Sequence, residues 1–217
     1  LDNLDNWNNP MFVILDLAQS NSEHCRHHFF NGKLIIDGEA VDDSLFDLVK
    51  KPLINISTNN LKNVSTVAFS DNSSSIQGYN TNMLILNNNK YTVKNKNYNF
   101  TLTAETHNFP SAVAPFPGAA TGIGGRIRDG QSTGRGSIPI ASSAGYCVGD
   151  LYSPNSPENL ATPLQILIEA SNGASDYGNK FGEPIILGFA RSFRNNKIEW
   201  IKPIMFSGGI GVMDNVH

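Results

Sequence analysis

Three features of the 217-residue sequence predict an α/β (α+β) fold. Apolar runs of strand length alternate with helix starts that pair a capping residue with proline, at Asn9-Pro10 and Thr162-Pro163. Two late runs, Pro184 to Phe193 and Lys197 to Phe206, flank Arg194-Asn195-Asn196 and read as a hairpin. Strands and helices in mixed order with a hairpin favour an α/β or α+β sandwich over a doubly wound sheet, and no solenoid repeat occurs.

Taken in order, residues 1–9 are Asn/Asp-rich and frayed, and Asn9 caps a helix over about 10–19. The run Met11 to Leu15 inside it fits a buried strand as well. Ser22 caps a second, short helix closed by Gly32 at C′, which puts His24 and His28 on one face and His27 off it. Asp42-Asp43-Ser44 caps an amphipathic turn bearing Leu45, Leu48 and Val49, which Pro52 ends or kinks before a polar connector over Asn55 to Asn63. Lys62 to Phe69, Met83 to Leu86 and Phe100 to Ala104 read as strands, and Asp71 to Ser75 as a turn. Asn87-Asn88-Asn89 and Lys94 to Asn99 read as loop of biased composition. Beyond the 149–161 loop, Thr162-Pro163 opens a buried helix through Leu164, Ile166, Leu167 and Ile168, which Gly173 and Gly178 end in stages.

This length suits one well-buried domain plus a smaller attached segment. The charged fraction is 16%, low for a globular domain, but Asn and Ser supply the missing polarity. A net charge of −3 gives no general basic field, which argues against nucleic acid and requires any anion to be bound locally. No run has the 18 apolar residues of a membrane span. Cys25 and Cys147 stand apart without a paired framework, as expected of reduced thiols in a cytoplasmic protein. The start at Leu1 without Met and the stop just after a Gly-rich segment suggest a piece of a longer polypeptide.

Chemistry-capable residues concentrate in 104–136. Glu105, His107, Arg126, Arg128, Asp129 and Arg135 are threaded there through seven glycines, among them Gly118, Gly122, Gly124 and Gly125. Gly118-Ala119-Ala120-Thr121-Gly122 lacks the Gly-Lys-Ser/Thr ending of a P-loop, and Gly122-Ile123-Gly124 is followed by Ile127 where a dinucleotide fingerprint has glycine. An anion site is still possible in physical terms. Small residues from Gly118 to Gly125 let backbone N–H groups face a ligand, and a helix starting among them aims its positive end at phosphate. Arg126 and Arg128 add bidentate donors, and Asp129 can hold Mg²⁺ against phosphate oxygens. A Gly-rich packing turn with surface arginines fits the same residues.

Glu105 and His107 leave a strand two residues apart and point together, a carboxylate for a hard cation beside an imidazole for proton transfer. A core imidazole and a turn-forming Asn108 are the plainer alternatives. The cluster His24-Cys25-Arg26-His27-His28 has no C-x-x-C or H-E-x-x-H spacing and makes a poor zinc site. It is either a solvated helix face or a catalytic or phosphate-facing one.

Three motifs in order carry a resemblance: Asn21-Ser22-Glu23-His24-Cys25-Arg26-His27, Ala104-Glu105-Thr106-His107-Asn108-Phe109-Pro110, and Gly118 to Asp129. Thr133-Gly134-Arg135-Gly136 and Lys202 to Gly211 fit with them. Together they resemble the large formylglycinamide ribonucleotide amidotransferases, the phosphoribosylformylglycinamidine synthases, over nearly all of residues 10–211. The resemblance implies an ATP-dependent carbon–nitrogen ligase of purine biosynthesis, working through an iminophosphate that ammonia attacks. It implies an ATP-binding segment of Gly118, Ala119, Ala120, Thr121, Gly122, Ile123, Gly124, Gly125, Arg126, Ile127, Arg128 and Asp129. It further implies Glu105 and Asp129 as Mg²⁺ ligands, His24 and His107 as catalytic residues, and Thr106, His107, Asn108, Ser111 and Arg128 at the substrate. Phe109 and His27 stand where shorter relatives have histidine and tyrosine.

The implied fold resembles the N-terminal half of the aminoimidazole ribonucleotide synthetase superfamily, a mixed sheet with helices on one face, here over 61–217. Residues 1–60 resemble a helical linker region. The implied partners are ATP, formylglycinamide ribonucleotide, and the remaining synthetase half and glutaminase domain of the same polypeptide, both absent from this chain. Neither cysteine matches the glutaminase nucleophile, so the chain alone is expected to be inactive. Alternatives of another class are a phosphotransferase of the same superfamily and a non-catalytic nucleotide-binding module.

Overall fold

The computed structural model describes Met11, Val13, Ile14, Leu17, Lys62 and residues 26–59, 64–153, 156–196 and 198–215, apart from the side chain of Ser57. They fall into two units, Leu1–Asn63 and Val64–His217. His24, Cys25 and the Ser22 cap lie outside the described residues. Of the helix expected over 10–19, the four described residues are helical.

In the first unit, helix α1 (His27–Phe30) starts after Arg26, whose φ of 44° is left-handed, so it is shorter than the helix expected from Ser22. A hairpin follows, β1 (Leu34–Ile36) against β2 (Glu39–Val41). Asp37 and Gly38 both have positive φ, the geometry that Asp-Gly suits in a two-residue turn. Helix α2 (Leu45–Thr58) opens on a capping box in which the Ser44 hydroxyl accepts from the Asp47 N–H at 3.2 Å and the Asp47 carboxylate accepts from the Ser44 N–H at 3.1 Å. It does not end at Pro52. Proline there removes only the bond to the Leu48 carbonyl, and Leu45, Phe46, Leu53 and Ile56 stay half-buried along the helix. The polar connector expected from Asn55 is the last turn of α2, closed by Asn59, whose backbone and side-chain N–H groups both donate to the Asn55 carbonyl.

The second unit is a mixed seven-stranded sheet. Its strands are β3 (Ser65–Val67), β4 (Ser74–Ile76), β5 (Asn80–Asn87), β6 (Lys90–Thr106), β7 (Ile138–Val148), β8 (Ile185–Ser192) and β9 (Ile204–Asp214). They run in the order β3-β4-β6-β9-β7-β8, with β5 paired to the first half of β6. Lys94 to Asn99, expected as loop, is therefore strand, as is Asn87, whereas Asn88 and Asn89 are turn. Asn88 and Asn89, at φ 48° and 60°, make a type I′-like turn, and Lys94 to Asn97 pair with Asn80 to Met83. Part of the turn expected over Asp71 to Ser75 is likewise strand β4.

The expected late hairpin is not formed. β8 pairs in parallel with β7, and β9 inserts antiparallel between β6 and β7. The unbroken apolar run Ile185-Ile186-Leu187 suits a parallel strand, and residues 193–203 loop out, with an isolated bridge between Arg194 and Glu199.

Helices α3 (Asn108–Val113), α4 (Pro115–Ser132) and α5 (Pro163–Lys180) complete the unit. α5 has the expected start, a capping box between Thr162 and Gln165, but runs past Gly173 and Gly178. The core lies between the sheet and the helices: Ala119, Ile123 and Ile127 of α4, Ala170 and Ala174 of α5, and Ala144, Tyr146 and Met205 from the strands. The opposite face of the sheet is open and apolar. Leu102, Ala104, Phe206 and Ile210 line a cavity of about 410 Å³ there with Ile186 and Leu187.

Candidate functional site

Strand β6 delivers Glu105 and Thr106 to the mouth of the unit, where both are exposed. Glu105 shares its face of the strand with Thr101 and Thr103, and Thr103 packs on α4 near Gly130, so Glu105 is on the helix side. Thr106 is on the other side. His107 leaves the strand as N-cap of α3, its N–H donating to the Met205 carbonyl at 2.9 Å, and Asn108 Oδ1 accepts from the Met205 N–H at 3.1 Å. These two bonds suture the turn to the start of β9. His107 is half-buried on the helix side, because a Cβ at Gly122 of α4 would stand 2.8 Å from its own Cβ.

α4 begins at Pro115, three residues ahead of Gly118, so the glycines lie inside a helix and not at its start. The Gly118 N–H already donates to the Ala114 carbonyl at 2.8 Å, and the N–H groups after it are spent within the helix in the same way. The backbone cradle expected over Gly118–Gly125 is therefore absent. The helix N-terminus is no substitute: Pro115 and Pro117 leave Phe116 as the sole free N–H donor of the first turn. What the glycines do is allow close approach. Gly118 lies against the Pro110–Ser111 backbone at 2.7 Å and Gly124 against the Tyr177 ring at 2.5 Å, both measured from an ideal Cβ.

Gly118, Ala119, Gly122, Ile123, Gly124, Arg126 and Ile127 are all buried. Ser111 is fully buried too, its hydroxyl donating to the His107 carbonyl at 2.6 Å, and so is closed to a substrate in this structure. Arg126 is no surface donor. Its Nη1 and Nη2 donate to the two carboxylate oxygens of Glu183, and its Nε donates to Ser207 Oγ at 2.9 Å.

Helical spacing puts Thr121, Gly125, Arg128 and Asp129 along the opposite, accessible flank of α4. α4 runs alongside the last residues of β6, with Gly122 against His107 and Gly130 near Thr103, and β4 pairs with β6 only as far as Leu102. Among the described residues, none of Glu105, Arg128, Asp129 and Arg135 makes an ion pair or a side-chain hydrogen bond. Two carboxylates and two guanidinium groups, on β6, on α4 and in the turn after α4, are thus left uncommitted. Also among the described residues, no three His, Cys, Asp or Glu side chains gather as a complete metal cage. Free carboxylate oxygens nevertheless suit Mg²⁺, which is held by one or two carboxylates together with phosphate oxygens. The residues that sequence reasoning missed are Glu183 and Ser207. They lie 57 and 81 positions from Arg126, and nothing local marks them.

No family model matches the chain. A Dictyostelium discoideum protein named phosphoribosylformylglycinamidine synthase is 54% identical over 96% of this chain and 17% of its own length. The Homo sapiens protein of that name is 48% identical over 96% of the chain and 17% of its own. Among solved structures, T. maritima PurL complexed with ATP overlaps 54% of this chain and 17% of that one, at 29% identity and a TM-score of 0.40. AaThiL complexed with AMPPCP and TMP overlaps 78% and 41%, at 14% identity and a TM-score of 0.46. Overlaps this loose do not define a shared fold, which is taken from the sheet itself. The chain belongs to the phosphoribosylformylglycinamidine synthase family and spans about one sixth of the length of the curated members it matches.

Proposed function

We propose that this chain is the ATP- and substrate-binding part of a ligase that converts formylglycinamide ribonucleotide, ATP and glutamine to formylglycinamidine ribonucleotide, ADP, phosphate and glutamate. The observation that carries this reading is 54% identity maintained over 96% of the chain. ATP phosphorylates the amide oxygen, and ammonia displaces phosphate from the iminophosphate. Positioning and charge neutralisation supply most of the catalysis in such a transfer.

The free side chains give this chemistry its groups. Arg128 neutralises phosphate charge, Glu105 and Asp129 hold Mg²⁺, and His107 moves a proton at the amide; the catalytic role of His24 rests on its motif alone. Bound there, Mg²⁺ supplies charge to the phosphate oxygens. Thr106 and the amide nitrogen of Asn108, whose oxygen is committed to Met205, orient the substrate. ATP contacts along α4 come from Ala120, Thr121, Gly125, Arg128 and Asp129, the residues of the implied segment that are not buried.

The open apolar face bearing Leu102, Phe206 and Ile210 fits pairing with the remaining synthetase half, and the glutaminase domain delivers ammonia from elsewhere in the polypeptide. The setting is cytoplasmic, in keeping with the free thiol of Cys147. The test is ammonia-dependent turnover of the full-length enzyme. Asp129→Ala is expected to lower kcat at least about 100-fold and His107→Ala about 100- to 10,000-fold. Unchanged turnover in both would sink the assignment.

A further inference from the structure

We propose that Arg126 is a positioning residue: its buried contacts with Glu183 and Ser207 fix the placement of the α4 flank that carries Arg128 and Asp129, and through that flank the affinity for Mg²⁺-ATP. The proposal rests on the ATP-binding role proposed above.

Arg126 is 1% exposed and Glu183 5% exposed, so both charges are out of water. The guanidinium spends two nitrogens on a forked contact with the carboxylate and the third on Ser207 Oγ at 2.9 Å. The partners come from three parts of the fold: α4, the turn between α5 and β8, and the central strand β9. Glu183 is itself pinned, its N–H donating to the Gly178 carbonyl at 3.1 Å.

The strand is shaped to receive the guanidinium. A Cβ at Gly209 would stand 2.2 Å from Arg126 Nη1, so β9 is bare where the side chain lies against it. This accounts for a glycine in the middle of a central strand, where glycine otherwise weakens pairing.

A buried ion pair adds little net stability, because the desolvation of both charges offsets their attraction. An apolar pair would hold α4 to the sheet about as firmly. It would not fix the position of the helix along the strand, whereas a planar fork meeting a carboxylate does. The positions it fixes are those of the site. Asp129 follows Arg126 by three residues, less than one turn of α4. Ser207, the third contact, is the register partner of Glu105 on β6. The bond that anchors the helix thus ends beside one free carboxylate and starts just short of the other. Misplacement by about 1 Å at such a site costs on the order of a hundredfold in rate.

The experiment uses the full-length enzyme with both charges replaced, Arg126→Met with Glu183→Met, beside Asp129→Ala. The thermal transition, kcat, and the KM values for ATP and for ammonia are read for each. The double-Met protein is expected to melt within a few degrees of the parent, with KM for ATP raised about tenfold or more and KM for ammonia unchanged. A folded double-Met protein whose KM for ATP stays within about twofold of the parent overturns the proposal, since a purely structural pair moves stability and not ATP affinity. If the double-Met protein does not fold, Glu183→Gln decides: a rise in KM for ATP of about threefold or more upholds the proposal and no rise overturns it. Asp129→Ala separates the two failures. An unchanged KM for ATP in that variant overturns the ATP-site reading itself, whereas a raised one beside an unaffected double-Met protein overturns only the role of Arg126.

Discussion

Replacing Gly173 with alanine tests whether the small residues of the second unit serve packing. A Cβ there would stand 2.1 Å from the Phe116 carbonyl oxygen and 2.8 Å from its carbon, and both atoms are backbone. Because Cβ atoms essentially never come within 3.0 Å of another heavy atom, α4 and α5 must part by roughly 1 Å. Against backbone atoms, which cannot swing aside, overpacking costs the upper part of its usual range, about 2–3 kcal/mol, and alanine returns about 1 kcal/mol through helix propensity. The net loss is about 1–2 kcal/mol, which lowers the melting temperature by about 2–8 °C for a unit of this size. Gly125→Ala is the matched opposite. Its nearest new neighbour is Arg128 Nη2 at 3.9 Å, so propensity acts alone and stability rises by up to about 1 kcal/mol. Calorimetry of the full-length protein, with hydrogen exchange of the α4 and α5 amides to localise the change, reads both. A Gly173→Ala protein as stable as the parent, or a destabilised Gly125→Ala protein, would refute the packing account.

Ser44→Ala removes the capping box of α2 and is expected to cost about 1 kcal/mol, seen as faster exchange of the first-turn amides. The Ser44 hydroxyl and N–H hold the Asp47 carboxyl below its ordinary value, so the cap contributes above the unfolded carboxyl pKa and is lost as pH falls through the lower folded one. An Asp47 titration in Ser44→Ala that matches the parent would contradict this. Asn89→Gly should tighten the β5–β6 turn by up to about 1 kcal/mol, since glycine takes the φ of 60° without strain, and exchange protection across Met83 to Lys94 should rise.

Local signals in the sequence were legible and long-range ones were not. The caps at Ser44 and Thr162 involve residues three apart, so the pattern and the bond coincide. Of the β5–β6 ribbon, Met83 to Leu86 is legible as strand, and the Asn- and Lys-rich Lys94 to Asn99 is not, because those residues have low strand propensity. What sets that ribbon is the left-handed pair Asn88-Asn89 and the continuation of β6 into the buried stretch Tyr98 to Thr101, a context that composition does not carry. The late hairpin failed for a related reason. Proximity in sequence favoured pairing β8 with β9, but the glycines of β9 admit Arg126 at Gly209 and pack Gly211 against Ser137 and Thr101, and this places the strand at the centre of the sheet. For the site, the position of Glu105 at a strand end and of Asp129 on a helix was readable. The commitment of Arg126 to Glu183 was not.

The glycines of 118–125 make the same mark in sequence whether a phosphate or a neighbouring backbone comes close, and only the start of α4 separates the two. Because that start is Pro115-Phe116-Pro117, the helix offers a ligand a single N–H, and its dipole alone is a weak anchor for a triphosphate. Charge recognition in this unit therefore passes to side chains, and of the two arginines on α4 only Arg128 is free to take part. Side chains on a helix recognise a ligand only as accurately as the helix is placed. A buried, forked, three-element anchor within one turn of Arg128 and Asp129 is what such a site requires when the helix backbone has a single donor left to give.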